Sequence, residues 1–132
     1  MSDIVLSTGV MLRDADAFNA NITVLNLDPL VQRTVTVEIF DWGVEQLWST
    51  PAQVTVGPSG ATTIAPHTQR AFISLITQST TQPALRLELY EIRVTVDNIK
   101  DVIINCFVVD NTGTSIPAKT VWHKDLVVVH VS

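Results

Sequence analysis

Residues 34–42 have the sequence TVTVEIFDW, in which apolar and polar residues alternate. Val35, Val37 and Ile39 fall on one face of an extended chain, whereas two threonines and Glu38 fall on the other. A period of two is the pattern of a β-strand that has one buried face and one exposed face. Residues 31–42 are therefore predicted to form a strand of an antiparallel sheet.

Similar runs follow one another along the chain and are separated by turn residues such as Asp28-Pro29 and the GPSG of residues 57–60. No stretch has a convincing helical period, so crossover helices are not expected. The sequence predicts an all-β fold, a single antiparallel two-sheet sandwich of about eight strands that spans residues 1–132 as one domain. Jelly-roll and immunoglobulin-like connectivities both remain open. The predicted strands cover residues 4–12, 22–27, 31–42, 53–56, 62–64, 71–76, 85–96, 102–109 and 126–131.

The composition excludes several classes of protein. Only 16% of the 132 residues are charged, whereas 19 Val, 11 Ile and 16 Thr make the chain rich in β-branched residues. A disordered tail or a coiled coil would be much more highly charged. Because Lys and Arg number 8 against 13 Asp and Glu, no nucleic-acid partner is expected, and no apolar run approaches the ~20 residues needed to insert in a membrane. Cys106 is the single cysteine and is interpreted as a small core residue.

The alternation fails in three predicted strands. In residues 85–96 the apolar phase slips at Leu89–Tyr90, which predicts a bulge or a change of partner. Residues 102–109 and 126–131 are apolar on both faces, so either loops or neighbouring subunits must cover them. In the second case the chain is a homo-oligomer or filament. The candidate assembly residues are Ile4, Val5, Leu6, Val10, Leu12, Val127, Val129 and Val131.

No constellation for catalysis is recognisable, so the chain is not expected to be an enzyme or to hold a cofactor or metal. His123 and Asp125 share one face of an extended chain, but two ligands without a third make a weak metal site. Glu38 and Glu91 have Thr or Arg neighbours and are expected on solvated faces.

Four aromatic residues form a candidate patch. They could plug the end of the sandwich, anchor a subunit contact or offer a stacking platform for a sugar ring. The residues are Phe40, Trp42, Trp48 and Trp122.

The segments 4–14 (IVLSTGVMLRD), 34–42 and 123–128 (HKDLVV) resemble those of small β-sandwich proteins from spore-forming Firmicutes. The resemblance implies a subunit similar to those of exosporium layers and endospore appendages, made in the mother-cell cytoplasm and placed on a spore or cell surface. Such subunits assemble by strand addition and by exchange of terminal arms. Appendage subunits have cysteines near the N-terminus for cross-linking, and this chain has none there, so covalent stapling is in doubt.

The leading hypothesis is thus a non-enzymatic structural protein that self-assembles into a fibre or layer. An accessory carbohydrate- or protein-binding module and a phage virion decoration or tail protein are the alternatives.

Overall fold

The computed structural model describes residues 3–13, 17–43, 52–54, 60–76, 89–116 and 120–131. Within these ranges the chain is built from strands, with one turn of 3₁₀ helix at His123–Asp125. The prediction of an all-β fold is confirmed. The strands are β1 (Ile4–Ser7), β2 (Met11–Leu12), β3 (Asn19–Asn26), β4 (Arg33–Gly43), β5 (Ala52–Val54), β6 (Thr62–Ile64), β7 (Thr68–Leu75), β8 (Leu89–Val96), β9 (Val102–Val109) and β10 (Val127–Val131).

The strands form two antiparallel sheets. In the larger sheet the order is β10-β1-β8-β4-β5, and the smaller sheet has the order β7-β3-β9. β2 continues the line of β1 along one edge of β8, and β5 and β6 share one edge of β4. The larger sheet is therefore five strand positions wide and the smaller sheet three. The predicted two-sheet sandwich is confirmed.

Consecutive strands repeatedly pass from one sheet to the other. An immunoglobulin-like sandwich would keep its first two strands in one sheet and its last two strands in one sheet. Here β1 and β3 lie in different sheets, and so do the last two strands, β9 and β10. β8 is inserted between β1 and β4, and β3 between β7 and β9. The immunoglobulin-like placement of the first and last strands is therefore not seen among the described strands.

One hydrophobic core lies between the sheets. Val35, Val37 and Ile39 of β4 are buried, as the alternation predicted. They belong to the same buried cluster as Ile22 and Phe72 of the smaller sheet. Burial of each such side chain contributes about 1.5–3 kcal/mol, so the inward faces of the two sheets supply the main apolar stabilisation of the fold.

The phase slip at Leu89–Tyr90 coincides with a β-bulge. The register between β4 and β8 shifts between Asp41 and Gly43, so Trp42 is the additional residue of β4. A bulge lets one strand change the face that its side chains present without breaking the sheet. Residues 85–88, the first part of the predicted strand, lie outside the described residues.

A part of the chain that follows β9 covers one side of that strand. We call residues 115–116 and 120–122 the flanking segment; it pairs antiparallel with β9 through bridges such as Cys106↔Val121. On the outer face of β9, Phe107 is half-buried and Ile103 is exposed. The chain itself thus covers part of the apolar surface of β9, and Ile103 remains exposed.

Cys106 is buried in the core, as the sequence predicted. Burial raises the pKa of its thiol to about 12. Because the thiolate is the reactive form, we expect the native protein to react with Ellman's reagent at pH 8 far more slowly than the chain unfolded in urea. Absorbance of the released thiolate measures both rates. Equal rates would contradict the buried position.

Candidate functional site

β10 is the outermost strand of the larger sheet. It pairs antiparallel with β1, and Ser7 lies opposite Val127. Among the described strands, none pairs with its other edge. The backbone N–H and C=O groups on that side can therefore accept a further strand.

The described side chains of β10, those of Val127, Val128 and Val129, are exposed on both faces of the strand. Val127 is 61% exposed, and Val128 and Val129 are each 53% exposed. Val128 lies opposite Leu6 and shares its inward face, yet Leu6 is only 5% exposed. The smaller sheet has three strand positions against five in the larger sheet, so it cannot cover every strand of the larger sheet, and Leu6 belongs to the core cluster whereas Val128 does not.

The sequence of β10 gives this edge little protection against pairing. Residues 127–131 read VVVHV and contain no lysine, proline or acidic residue, the usual devices that keep an edge strand from adding another strand. Its pairing with β1 contains one register shift, opposite Val5–Leu6. The remainder of β10 is regular and aliphatic.

The other candidate assembly residues divide into three groups. Ile4 and Val5 are half-buried in β1, and Leu6 belongs to the core. β1 is paired on both sides, by β8 and β10, so residues 4–7 have no free strand edge in the folded chain. Val10 and Leu12 are exposed along the same margin of the sheet, in line with β1. The side chain of Val131 lies outside the described set.

The described members of the candidate aromatic patch do not lie together. Phe40 and Trp42 lie near the bulge of β4 in the larger sheet, whereas Trp122 lies in the flanking segment beside the smaller sheet. Trp48 lies outside the described residues. A shared platform of Trp42 and Trp122 is therefore not formed.

Trp42 instead belongs to a buried polar cluster around Glu91. The Glu91 carboxylate accepts hydrogen bonds from Trp42 Nε1 at 3.0 Å, from Arg93 Nε at 2.9 Å and from Ser7 Oγ at 2.5 Å. The Arg93 guanidinium lies 4.7 Å from the centroid of the Phe40 ring, a cation–π contact. These contacts join β1, β4 and β8 on the outer face of the larger sheet.

The expectation that Glu91 lies on a solvated face is wrong, since this residue is 5% exposed. Burial by itself raises the pKa of Glu91, but the hydrogen bonds from Arg93, Ser7 and Trp42 together with the charge of Arg93 outweigh it and hold the pKa below its ordinary value. The ionised carboxylate is thus held by three hydrogen bonds and an ion pair, which suits a structural role. The sequence contained one signal for this cluster: Glu91 and Arg93 are two residues apart and therefore lie on the same face of a strand.

Groups of three or more His, Cys, Asp and Glu side chains that could hold a metal ion are not found in the part of the chain that the structure describes. His123 Nδ1 is engaged otherwise, because it accepts a hydrogen bond from the backbone N–H of Ile104 at 3.0 Å. In the described ranges no helix has the length and apolar character to cross a bilayer. Comparisons with protein-family models, with curated proteins and with solved structures each give no significant match.

Proposed function

We propose that this chain is a non-enzymatic structural protein that self-assembles into a fibre or layer on a spore or cell surface, with β10 as the strand to which another copy adds. The observation that supports the proposal is the open edge of β10, with three consecutive valines more than half exposed. A second copy of this chain is the favoured partner because such an edge recognises backbone and aliphatic surface rather than charge. The surface location rests on the resemblance of residues 4–14, 34–42 and 123–128.

The energetics of strand addition at β10 make a single edge contact weak. Covering the exposed half of each of Val127, Val128 and Val129 contributes about 1 kcal/mol per residue. Each backbone hydrogen bond to an added strand contributes about 0.5–1.5 kcal/mol net. These terms must offset an association cost of roughly 4–15 kcal/mol, so one edge contact is weak by itself. Val10 and Leu12, exposed along the same margin, enlarge the contact.

We expect Val127→Lys and Val129→Lys to prevent self-association while leaving the domain folded. A lysine on an edge strand carries a charge that an added strand would have to bury, and both valines are exposed enough to be replaced without touching the core. Sedimentation velocity over a range of concentrations, with negative-stain electron microscopy, measures assembly. The wild-type chain should form large species, and each variant should need at least about tenfold more protein to do so, equivalent to about 1.4 kcal/mol.

Leu30→Lys is the matched control, because Leu30 is exposed in the connection between β3 and β4, away from β10. This variant should assemble like the wild type. The proposal fails if the wild-type chain remains a monomer at concentrations of about 1 mM, or if the β10 variants assemble as readily as the control.

A further inference from the structure

A pocket of about 460 Å³ lies on the outer face of the smaller sheet, between β3, β9 and the flanking segment. Its volume is within the range of small-molecule sites. It lies on the other sheet from β10 and involves none of the proposed assembly residues. The described lining residues are Thr23, Asn105, Phe107, Ser115, Thr120 and Trp122.

The strand register explains how this lining arises. Cys106 pairs antiparallel with Val121, and both side chains belong to the inward side, where they contact the core. The neighbouring residues therefore face outward, with Trp122 beside Asn105 and Thr120 beside Phe107. The two aromatic rings are thus diagonal neighbours, and each has a polar side chain next to it.

The register of β3 extends this arrangement across the sheet. Thr23 lies opposite Asn105, and Asn21 lies opposite Phe107. The Oδ1 atom of Asn21 is buried and accepts no hydrogen bond, although an unpaired buried acceptor is costly.

The walls of the pocket are held by hydrogen bonds that require no ligand. The backbone of Val121 exchanges two hydrogen bonds with that of Cys106, at 2.9 and 2.7 Å. The backbone N–H of His123 donates to Asn105 Oδ1 at 3.0 Å, which leaves the Asn105 amide N–H₂ group as a donor toward the pocket. The site is therefore largely formed in advance, which lowers the entropic cost of binding.

The chemistry of the lining indicates a neutral ligand that has both apolar and hydroxyl surfaces. Among the described lining residues there are two aromatic rings, three hydroxyls and one amide, and none of these six side chains carries a charge. An ionic ligand would find no countercharge among them. Trp122 is 55% exposed at the rim, so a flat ring can approach its indole from solvent.

We propose that this pocket binds a neutral saccharide. The indole of Trp122 stacks on the apolar face of a pyranose ring, and Thr23, Thr120 and Asn105 hydrogen-bond to its hydroxyls. The Phe107 ring forms the floor beside them. This site differs from the shared tryptophan platform considered from the sequence, because it uses Trp122 without Trp42.

Nuclear magnetic resonance titration tests the assignment directly. The full chain, ¹⁵N-labelled and carrying Val127→Lys so that assembly does not broaden its signals, is titrated with cellohexaose, mannohexaose and chitohexaose. At least one of these should shift the amides of Thr23, Asn105 and Phe107 and the indole N–H of Trp122. Val127 lies outside the lining, so the result does not depend on whether the wild-type chain assembles.

Trp122→Ala should weaken binding at least about tenfold, as expected of an aromatic anchor. Thr23→Val, which keeps the shape of the side chain and removes its hydroxyl, should weaken binding severalfold, and this variant serves if Trp122→Ala fails to fold. Leu75→Ala is the control, because Leu75 is exposed on the same sheet but outside the lining. The proposal is overturned if none of the three saccharides shifts these amides at about 10 mM, if the shifts map elsewhere, or if the three variants bind equally.

Discussion

Replacement of Glu91 by alanine is expected to lower the free energy of unfolding by about 3 kcal/mol. The carboxylate is buried and accepts hydrogen bonds from Ser7, Trp42 and Arg93. Its loss leaves the Ser7 hydroxyl and the Trp42 indole N–H without their acceptor and removes the ion pair with Arg93. Urea unfolding followed by far-ultraviolet circular dichroism measures the change.

Glu38→Ala is the control for this prediction. Glu38 lies opposite Arg93 on the same outer face, but it is only half-buried, so we expect a loss below about 1 kcal/mol. If both variants lose the same stability, the buried cluster around Glu91 is not what holds β1, β4 and β8 together.

The same cluster gives the protein a sensitivity to acid. The pKa of Glu91 is lower in the folded chain than its ordinary value of 4.5, so the ionised carboxylate stabilises the fold fully above that value. Its contribution decreases as the pH falls below 4.5 and is lost once the pH is below the folded pKa. The difference in unfolding free energy between the wild type and Glu91→Ala should therefore shrink as the pH is lowered through this range.

Replacement of Asn26 by alanine is expected to lower the free energy of unfolding by about 3 kcal/mol. Asn26 is fully buried at the end of β3, where its Nδ2 donates to the carbonyl oxygens of Val31, Ile64 and Ala65 at 2.9–3.3 Å. Its Oδ1 accepts from the backbone N–H of Asp28 at 3.0 Å. Because Ile64 belongs to β6, this one amide joins the two sheets, and alanine would leave buried backbone groups unpaired.

Asn98→Ala is the control for this prediction, because it removes a similar hydrogen bond between an asparagine side chain and the backbone that is exposed to solvent. The Oδ1 atom of Asn98 accepts a hydrogen bond from the backbone N–H of Lys100 at 2.9 Å in an exposed turn. We expect this variant to lose at most about 1 kcal/mol in the same urea experiment. A loss as large as that of Asn26→Ala would show that burial is not what makes the Asn26 amide important.

Local patterns in the sequence were sufficient for the fold class and for much of its detail. The period-two alternation of residues 34–42 identified the buried face of β4, and the change of phase at Leu89–Tyr90 marked the bulge. The strand order was not predictable, because the neighbours of a strand depend on residues far away in the chain. β8, for example, is paired by both β1 and β4, and nothing within residues 89–96 specifies either partner.

Surface sites were less predictable for a related reason. The exposed valines of β10 followed from an apolar strand that a two-layer fold has no means to cover. Glu91 and Asn26 were missed, since their burial depends on which side chains from other strands converge on them. The pocket was missed because it joins Thr23 with Trp122, residues that only the pairing of β3, β9 and the flanking segment brings together.

The placement of β1 between β8 and β10 also has a kinetic consequence. Its register joins Ile4 to Val96 on one side and to Val131 on the other, so both edges of this strand are closed by residues remote along the chain. Non-local pairing of this kind slows folding, because a long loop must close before any contact compensates for its lost entropy. β10 can take its place only against a β1 that is itself in position. We therefore expect the edge proposed for assembly to form late in folding, so that assembly through β10 begins from folded chains.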